Sequence, residues 1–495
     1  MEKTKKWFWP ILLLAIYLAV NMALILHHEN WRDEAQAWQI AGLLDLKGLF
    51  AQLKYEGHPC LWYLILMPFA KLHAPFGIMN GISLVLMAVA AWLVLTRAPF
   101  SMPVRVLTVF SGFFLYYYPV ISRSYALVPP LLALLALCYP RRMEKPLPYG
   151  ILLALLTQTH IYMLGLSAAL SFFWLLEILR EIPLKKPENR VRLCAVFLNL
   201  ASGLFLIWEL FGSTDRNTGV NIHISSTLSS NLHRMSVASQ WASGFAVGGG
   251  ISDETWKILV FVIALCFLLF LLWSWKETLI LAAAVSSQVL MFTYVYLPSE
   301  QKAMLLVHEL IFILWLILEK KKASGEREET DWRRKGNRAA AVGFQALLAV
   351  LCLLSVDGHR GAMESDWKEP YSAGKDAAAY IEKEIPQEAL LVTAGDVPAY
   401  AVAAYAPDRT LWYPLTEAPI TFSVWNESRE ETIGYEEMLE RIRSHYPEVQ
   451  SFWLLTGGQN NIEGLEEALA DIVPVFREDA LISEESVRIY DISGF

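Results

Sequence analysis

The chain has 495 residues, 55% hydrophobic and 18% charged, with a formal net charge of −8 and a mean hydropathy of +0.37. That balance is too apolar for an ordinary soluble enzyme and too charged for a protein that is membrane throughout, so two regions are implied. Charge divides them: the 139 residues after Val356 carry 27 Asp and Glu against 10 Lys and Arg, leaving 31 basic and 22 acidic residues before that point.

The basic N-terminus, through Lys6, leads into an apolar run from Trp7 to Leu26, with no small-residue cleavage site before His27. It reads as an uncleaved first span whose basic end is cytoplasmic. A membrane helix needs roughly 20 mostly apolar residues. The runs near residues 7–26, 77–96, 104–119, 123–140, 148–163, 164–180, 193–211, 256–275, 278–297, 303–319 and 339–356 meet or approach that length, giving about eleven spans. The apolar run from Pro59 to Leu72 is set aside, because counting it as a span would reverse every later segment and export the basic loops. Laid along the outer surface, with Trp62 and Tyr63 at headgroup level, it leaves Lys3, Lys5, Lys6, Arg97, Arg105, Arg141, Arg142, Lys145, the Arg180 to Arg192 stretch and the Lys320 to Arg338 loop all cytoplasmic.

The expected architecture is therefore an α-helical polytopic membrane body over residues 1–356, N-terminus in and C-terminus out, and an acidic extracytoplasmic domain over residues 357–495. Residues 27–76 form a first outer loop, 212–255 a second, and 320–338 a solvated basic cytoplasmic linker. In the tail, helix-like stretches (Gly374 to Glu384, Val397 to Tyr405, Tyr435 to His445, Ile462 to Ala470) alternate with β-like runs (Ala389 to Thr393, Ser451 to Leu455, Ser486 to Tyr490). That alternation predicts a small α/β domain with a mostly parallel sheet. The five cysteines show neither a disulfide framework nor zinc-ligand spacing.

The chemistry concentrates in the first outer loop. Trp31-Arg32-Asp33-Glu34-Ala35-Gln36-Ala37-Trp38 follows directly on the first span, and Tyr55-Glu56-Gly57-His58-Pro59 precedes the interfacial run. Ionisable groups held against a bilayer need a functional reason. Helical spacing sets Asp33, Ala37 and Ile40 along one side and turns Glu34 about 100° away, so one carboxylate can face a cavity while its neighbour faces solvent or a structural partner. For glycosyl transfer one base suffices, because a phosphate leaving group needs cations rather than a general acid.

These motifs resemble the GT-C superfamily of integral-membrane glycosyltransferases. Asp33-Glu34 is similar to the acidic motif in the first outer loop of protein O-mannosyltransferases and lipid A aminoarabinose transferases. Glu56-Gly57-His58-Pro59 is similar to the Asp-x-His-Pro-Pro of the mannosyltransferases, with Cys60 in place of the second proline, and Arg123-Ser124-Tyr125 resembles an Arg-x-Tyr found beyond the third span of many bacterial members. The resemblance covers roughly residues 7–320 in architecture. It implies a polyprenyl-phosphate sugar donor, a cell-envelope acceptor and inversion at the outer face of the plasma membrane, with no nucleic-acid partner. Asp33 would be the base, and Glu34 or Glu56 would orient the acceptor or a metal. Arg123, His58 and Lys302 would hold the donor phosphate, with Tyr125 and His160 at outer helix ends beside them. A divalent cation is permitted, with Asp33 and Glu56 as ligands, but not required. Two other readings stay open: a transporter or flippase for lipid-linked sugars, and a non-catalytic scaffold binding envelope glycan.

Overall fold

The computed structural model describes residues 2–181, 187–214, 224, 227–324, 331–428 and 431–493. Among them, nine helices are long and apolar enough to cross a membrane, from Trp7–His27 through Ile78–Arg97, Ser124–Arg141, Ile161–Arg180, Glu188–Phe211, Asp253–Trp273, Trp275–Tyr294 and Glu300–Lys322 to Lys335–Lys368. The protein is a multi-pass membrane protein with a large helical core, in which Leu153, Leu156, Trp174, Ile280 and Phe312 are buried together.

Two expected spans are built differently. The run at 104–119 is broken into the helices Met102–Val109 and Gly112–Leu115. At the break Phe110 leaves helical geometry, and the Ser111 hydroxyl donates to the Thr108 carbonyl at 2.7 Å, a local bond that competes with helix continuation. Gly112 then abuts the long helix Asp331–Lys368, where a Cβ would lie 2.4 Å from the His359 ring. The run at 148–163 holds only the 12-residue helix Pro146–Thr157, which ends before His160 and a single turn at Ile161–Met163.

The interfacial run forms the helix Cys60–Lys71, started by Pro59 in extended conformation. The stretch 212–255, expected as a loop, contains a 20-residue helix, Leu228–Val247, packed against Trp275–Tyr294 and Glu300–Ser324. Residues 215–223 and 225–226 of that loop, and 325–330 of the basic linker, lie outside the described residues; the linker's flanks, up to Ser324 and from Asp331, are helical. The last helix continues past Val356 to Lys368.

The C-terminal region contains the strands β1 (Leu391–Thr393), β2 (Leu411–Tyr413), β3 (Ala418–Pro419), β4 (Ile433–Gly434), β5 (Ser451–Gly457), β6 (Ile462–Glu463), β7 (Phe476–Glu478) and β8 (Val487–Ser493). Six make one sheet in the order β3-β2-β1-β5-β8-β7, and β4 pairs with β6. Only β1–β2 and β1–β5 run parallel in the larger sheet; β2–β3, β5–β8 and β7–β8 are antiparallel, so it is mixed rather than mostly parallel. Crossover connections explain where each kind occurs. A parallel neighbour usually needs a helix in between, and Val397–Tyr405 links β1 to β2 while Tyr435–His445 links β2 to β5. Before β8 the expected helix at 462–470 shrinks to Leu465–Ala468, too short for such a crossover.

This region is packed onto the segment that follows the first span, residues 27–76. Helix Val397–Tyr405 lies against helix Arg32–Leu43, and one apolar cluster joins Ala35, Ile40 and Trp38 to Tyr400, Val402 and Phe452. Polar bonds fix the register: Gln39 donates to the Tyr400 carbonyl at 2.9 Å, and the Asn30 amide to the Tyr405 hydroxyl at 2.8 Å.

Candidate active site

The acidic motif opens helix Arg32–Leu43, where carboxylates in the first turn meet the positive end of the helix dipole. The two carboxylates diverge as their spacing predicts. Asp33 is about a third exposed and pairs closely with the Arg123 guanidinium. Glu34 is fully buried and lines neither of the cavities described below. Its carboxylate reaches back to accept from the Trp31 amide at 3.1 Å, the reciprocal contact of a capping box. It also accepts from the Ser122 amide at 2.6 Å and meets His28 Nε2 at 3.3 Å.

His28 in turn lies 2.9 Å from Asp366, which also accepts from the Tyr116 hydroxyl at 2.7 Å. Burial works against a charged His28, but hydrogen bonds to Asp366 and Glu34, together with their charges, raise it to about 10. The result is a buried cation between two carboxylates, tying the segment after the first span to the last long helix.

Glu56 is buried, with Oε1 accepting from the amides of Gln36 at 2.8 Å and Gln52 at 2.9 Å. Both amides also donate to the Ser423 carbonyl at 2.9 Å, and Gln36 accepts from the Ser423 amide at 2.8 Å. Burial pushes the Glu56 carboxyl above its ordinary range, against the hydrogen bonds from Gln52, Gln36 and Tyr63. Glu56 thereby fixes the segment around Ser423 against the first loop.

Arg123 sits just before helix Ser124–Arg141 and gathers the remaining groups. Besides Asp33 it contacts His58 Nε2 at 3.1 Å. A guanidinium only donates, so that nitrogen accepts and the His58 proton sits on Nδ1. Burial, then the neighbouring charges of Arg123 and Lys302, lower His58 well below its ordinary range; burial and the His58 contact do the same to His160. Both rings are neutral. They belong to an aromatic stack in which His160 lies 4.9 Å from Tyr125, 4.6 Å from Tyr162 and 5.1 Å from His58. Lys302 donates to the Leu297 carbonyl at 3.1 Å and projects over the Tyr296 ring.

Two cavities share the walls Asp33, Gly57, His58, Arg123 and Tyr296. A helix-side cavity of about 330 Å³ is lined by Tyr125, His160, Tyr162 and Lys302. A larger sheet-side cavity of about 780 Å³ runs from Arg32, Gln36 and Glu56 to Tyr400, Trp425 and Asn460 of the C-terminal region. All six expected donor- or acceptor-binding residues (Glu56, His58, Arg123, Tyr125, His160, Lys302) and Asp33 are thus brought to these two spaces. As for a divalent cation, no group of three or more His, Cys, Asp or Glu suited to hold a metal exists among the described residues, and Glu56 is already engaged by two amides. The His28–Asp366 link and the C-terminal cavity wall were not expected. Nothing in the spacing of residues 28, 366 and 423–461 signals that they meet.

A family model described as a domain of unknown function (DUF6311) matches residues 61–252. No curated protein matches the chain. Among solved structures, the ArnT of Cupriavidus metallidurans bound to undecaprenyl phosphate is similar at 10% identity over 98% of each chain, with a TM-score of 0.50. The same protein in the apo state aligns at 10% identity and a TM-score of 0.50, over 98% of this chain and 97% of that one. This likeness shows that the chain shares the fold of those structures.

Proposed function

We propose that this GT-C-fold membrane protein transfers a sugar from a polyprenyl-phosphate carrier to a hydroxyl of a cell-envelope acceptor. One observation carries the reading: a carboxylate, Asp33, and a cation, Arg123, meet where two cavities of different chemistry share a wall. The helix-side cavity supplies Arg123, Lys302 and aromatic rings, the groups that suit a phosphate and its prenyl chain. That a structural neighbour holds undecaprenyl phosphate supports this donor class. By the charge asymmetry of the loops, the site faces the extracytoplasmic side.

In the proposed step the acceptor hydroxyl gives its proton to the Asp33 carboxylate and its oxygen attacks the anomeric carbon. The bond from that carbon to the phosphate oxygen breaks on the opposite face, and polyprenyl phosphate leaves with its charge held by Arg123 and Lys302. Glu34 is assigned a structural role and Glu56 a positioning role, through Ser423. A transporter reading would place charges along a path through the spans. Here the buried Glu209 and Glu309 line neither cavity.

The test is release of polyprenyl phosphate from polyprenyl-phosphate monosaccharides by the protein in detergent, without nucleotide sugar. Arg123→Ala should raise the donor KM by about 10–100-fold, the worth of a hydrogen bond to a charged partner. No release from any such donor, or strict dependence on a nucleotide sugar, refutes the proposal.

A further inference from the structure

On the reading that Asp33 activates an acceptor hydroxyl, we infer that the sheet-side cavity binds that acceptor as a neutral, water-soluble glycan. The wall facing Asp33 comes from the acidic C-terminal region, outside the nine apolar helices found among the described residues. At about 780 Å³ the cavity is large for a single sugar ring and lies within the range of roughly 300–1,000 Å³ typical of sites for small molecules.

Its chemistry selects among hydrophilic ligands. Trp425 is 41% exposed at the wall, and its aromatic face offers a flat apolar surface to the C–H face of a pyranose; Tyr400 lines the same cavity. Asn426 and Gln459 add side-chain amides, which both donate and accept and so match hydroxyls of either polarity. Asn460 holds this wall in shape, accepting from the Gly457 amide at 2.9 Å and donating to its carbonyl at 3.1 Å. An anionic acceptor fits poorly. Of the two arginines on the wall, Arg123 is assigned to the donor phosphate and Arg32 is paired with Glu484 at 3.1 Å, while Asp396 and Glu431 add negative charge.

The position also matters. The first loop and the C-terminal wall are stitched by Glu56, Gln36, Gln52 and Ser423, two residues from Trp425, so a sugar stacked there is held at a fixed place relative to Asp33. That is the arrangement a transferase needs to present one hydroxyl to one base.

The experiment uses the full chain in detergent and labelled neutral tetrasaccharides of glucose, mannose and N-acetylglucosamine. Equilibrium dialysis should show binding of at least one of them, weakened about tenfold by Trp425→Ala and less by Gln459→Ala, with thermal stability unchanged. With a polyprenyl-phosphate sugar present, the bound glycan should accelerate polyprenyl phosphate release. Trp425→Ala should then raise the glycan KM without altering the donor KM. Glycan binding that depends on Trp425 but is accompanied by no donor turnover would support the glycan site and refute the transferase reading. Donor turnover stimulated only by a lipid-embedded or phosphorylated acceptor, or by none of the tetrasaccharides, would overturn the glycan inference and leave the transferase reading standing.

Discussion

Asp33→Asn is expected to lower the rate constant for sugar transfer by about 10²–10⁴-fold, the range supplied by a positioned general base, while donor lipid binds at least as tightly as to the parent. Asparagine keeps the size of the side chain and can still accept a hydrogen bond from Arg123, but it takes up no proton at neutral pH. Removing the carboxylate also removes the competing anion that Arg123 now faces, so the guanidinium meets the donor phosphate with its full charge. Asp33 is about a third exposed and asparagine keeps a hydrogen bond to Arg123, so the variant should stay folded, with stability lowered by about 1 kcal/mol. The check is single-turnover release of polyprenyl phosphate measured beside equilibrium binding of the donor. A folded Asp33→Asn protein that turns over at the parent rate would remove Asp33 from the chemistry.

How far the sequence foretold this site follows from how local each feature is. The divergence of Asp33 and Glu34 was legible because it needs only the 100° rotation per residue of a helix. The helices Gly374–Glu384 and Tyr435–His445 were legible for the same reason, their apolar periodicity being local, whereas Val397–Tyr405 is apolar and buried on nearly every side. The motifs that resemble those of the GT-C glycosyltransferases led to His58, Arg123 and Tyr125, and the structure places all three at the shared walls of the cavities or beside them. What failed was non-local. The run at 104–119 reads as apolar and continuous, but Ser111 bonds back to Thr108, and Gly112 lies close to a helix more than 200 residues later in the chain. Likewise the mixed sheet depends on how little helix lies between β5 and β8, a matter of a few residues at 462–470. The sheet-side cavity wall joins residues 32–58 to residues 396–461, and only the folded chain brings those stretches together.

Glu34→Ala, one residue away from Asp33, should produce the opposite phenotype: loss of the fold rather than of the rate. Its carboxylate faces the Trp31 and Ser122 amides and the His28 ring, and removing it leaves His28 with Asp366 as its one remaining carboxylate and strands two backbone donors. Breaking a buried ion pair from one side costs about 3–5 kcal/mol, enough to lower the thermal midpoint in detergent by several degrees and the yield of folded protein with it. The pH dependence identifies the cause. His28 is raised from 6.5 to about 10 in the folded protein. A group shifted upward binds its proton more tightly when folded, so its contribution to stability is complete below about pH 6.5 and is lost as the pH rises through about 10. Glu29 and Glu485, each pushed up to about 7 by burial, also favour the folded state toward acid, but their windows close near neutrality. The difference in stability between the parent and His28→Gln should therefore be largest near pH 6 and shrink toward pH 10. A difference that stays constant across that range would show that His28 holds the loop to the last helix by packing against Tyr371 rather than by charge.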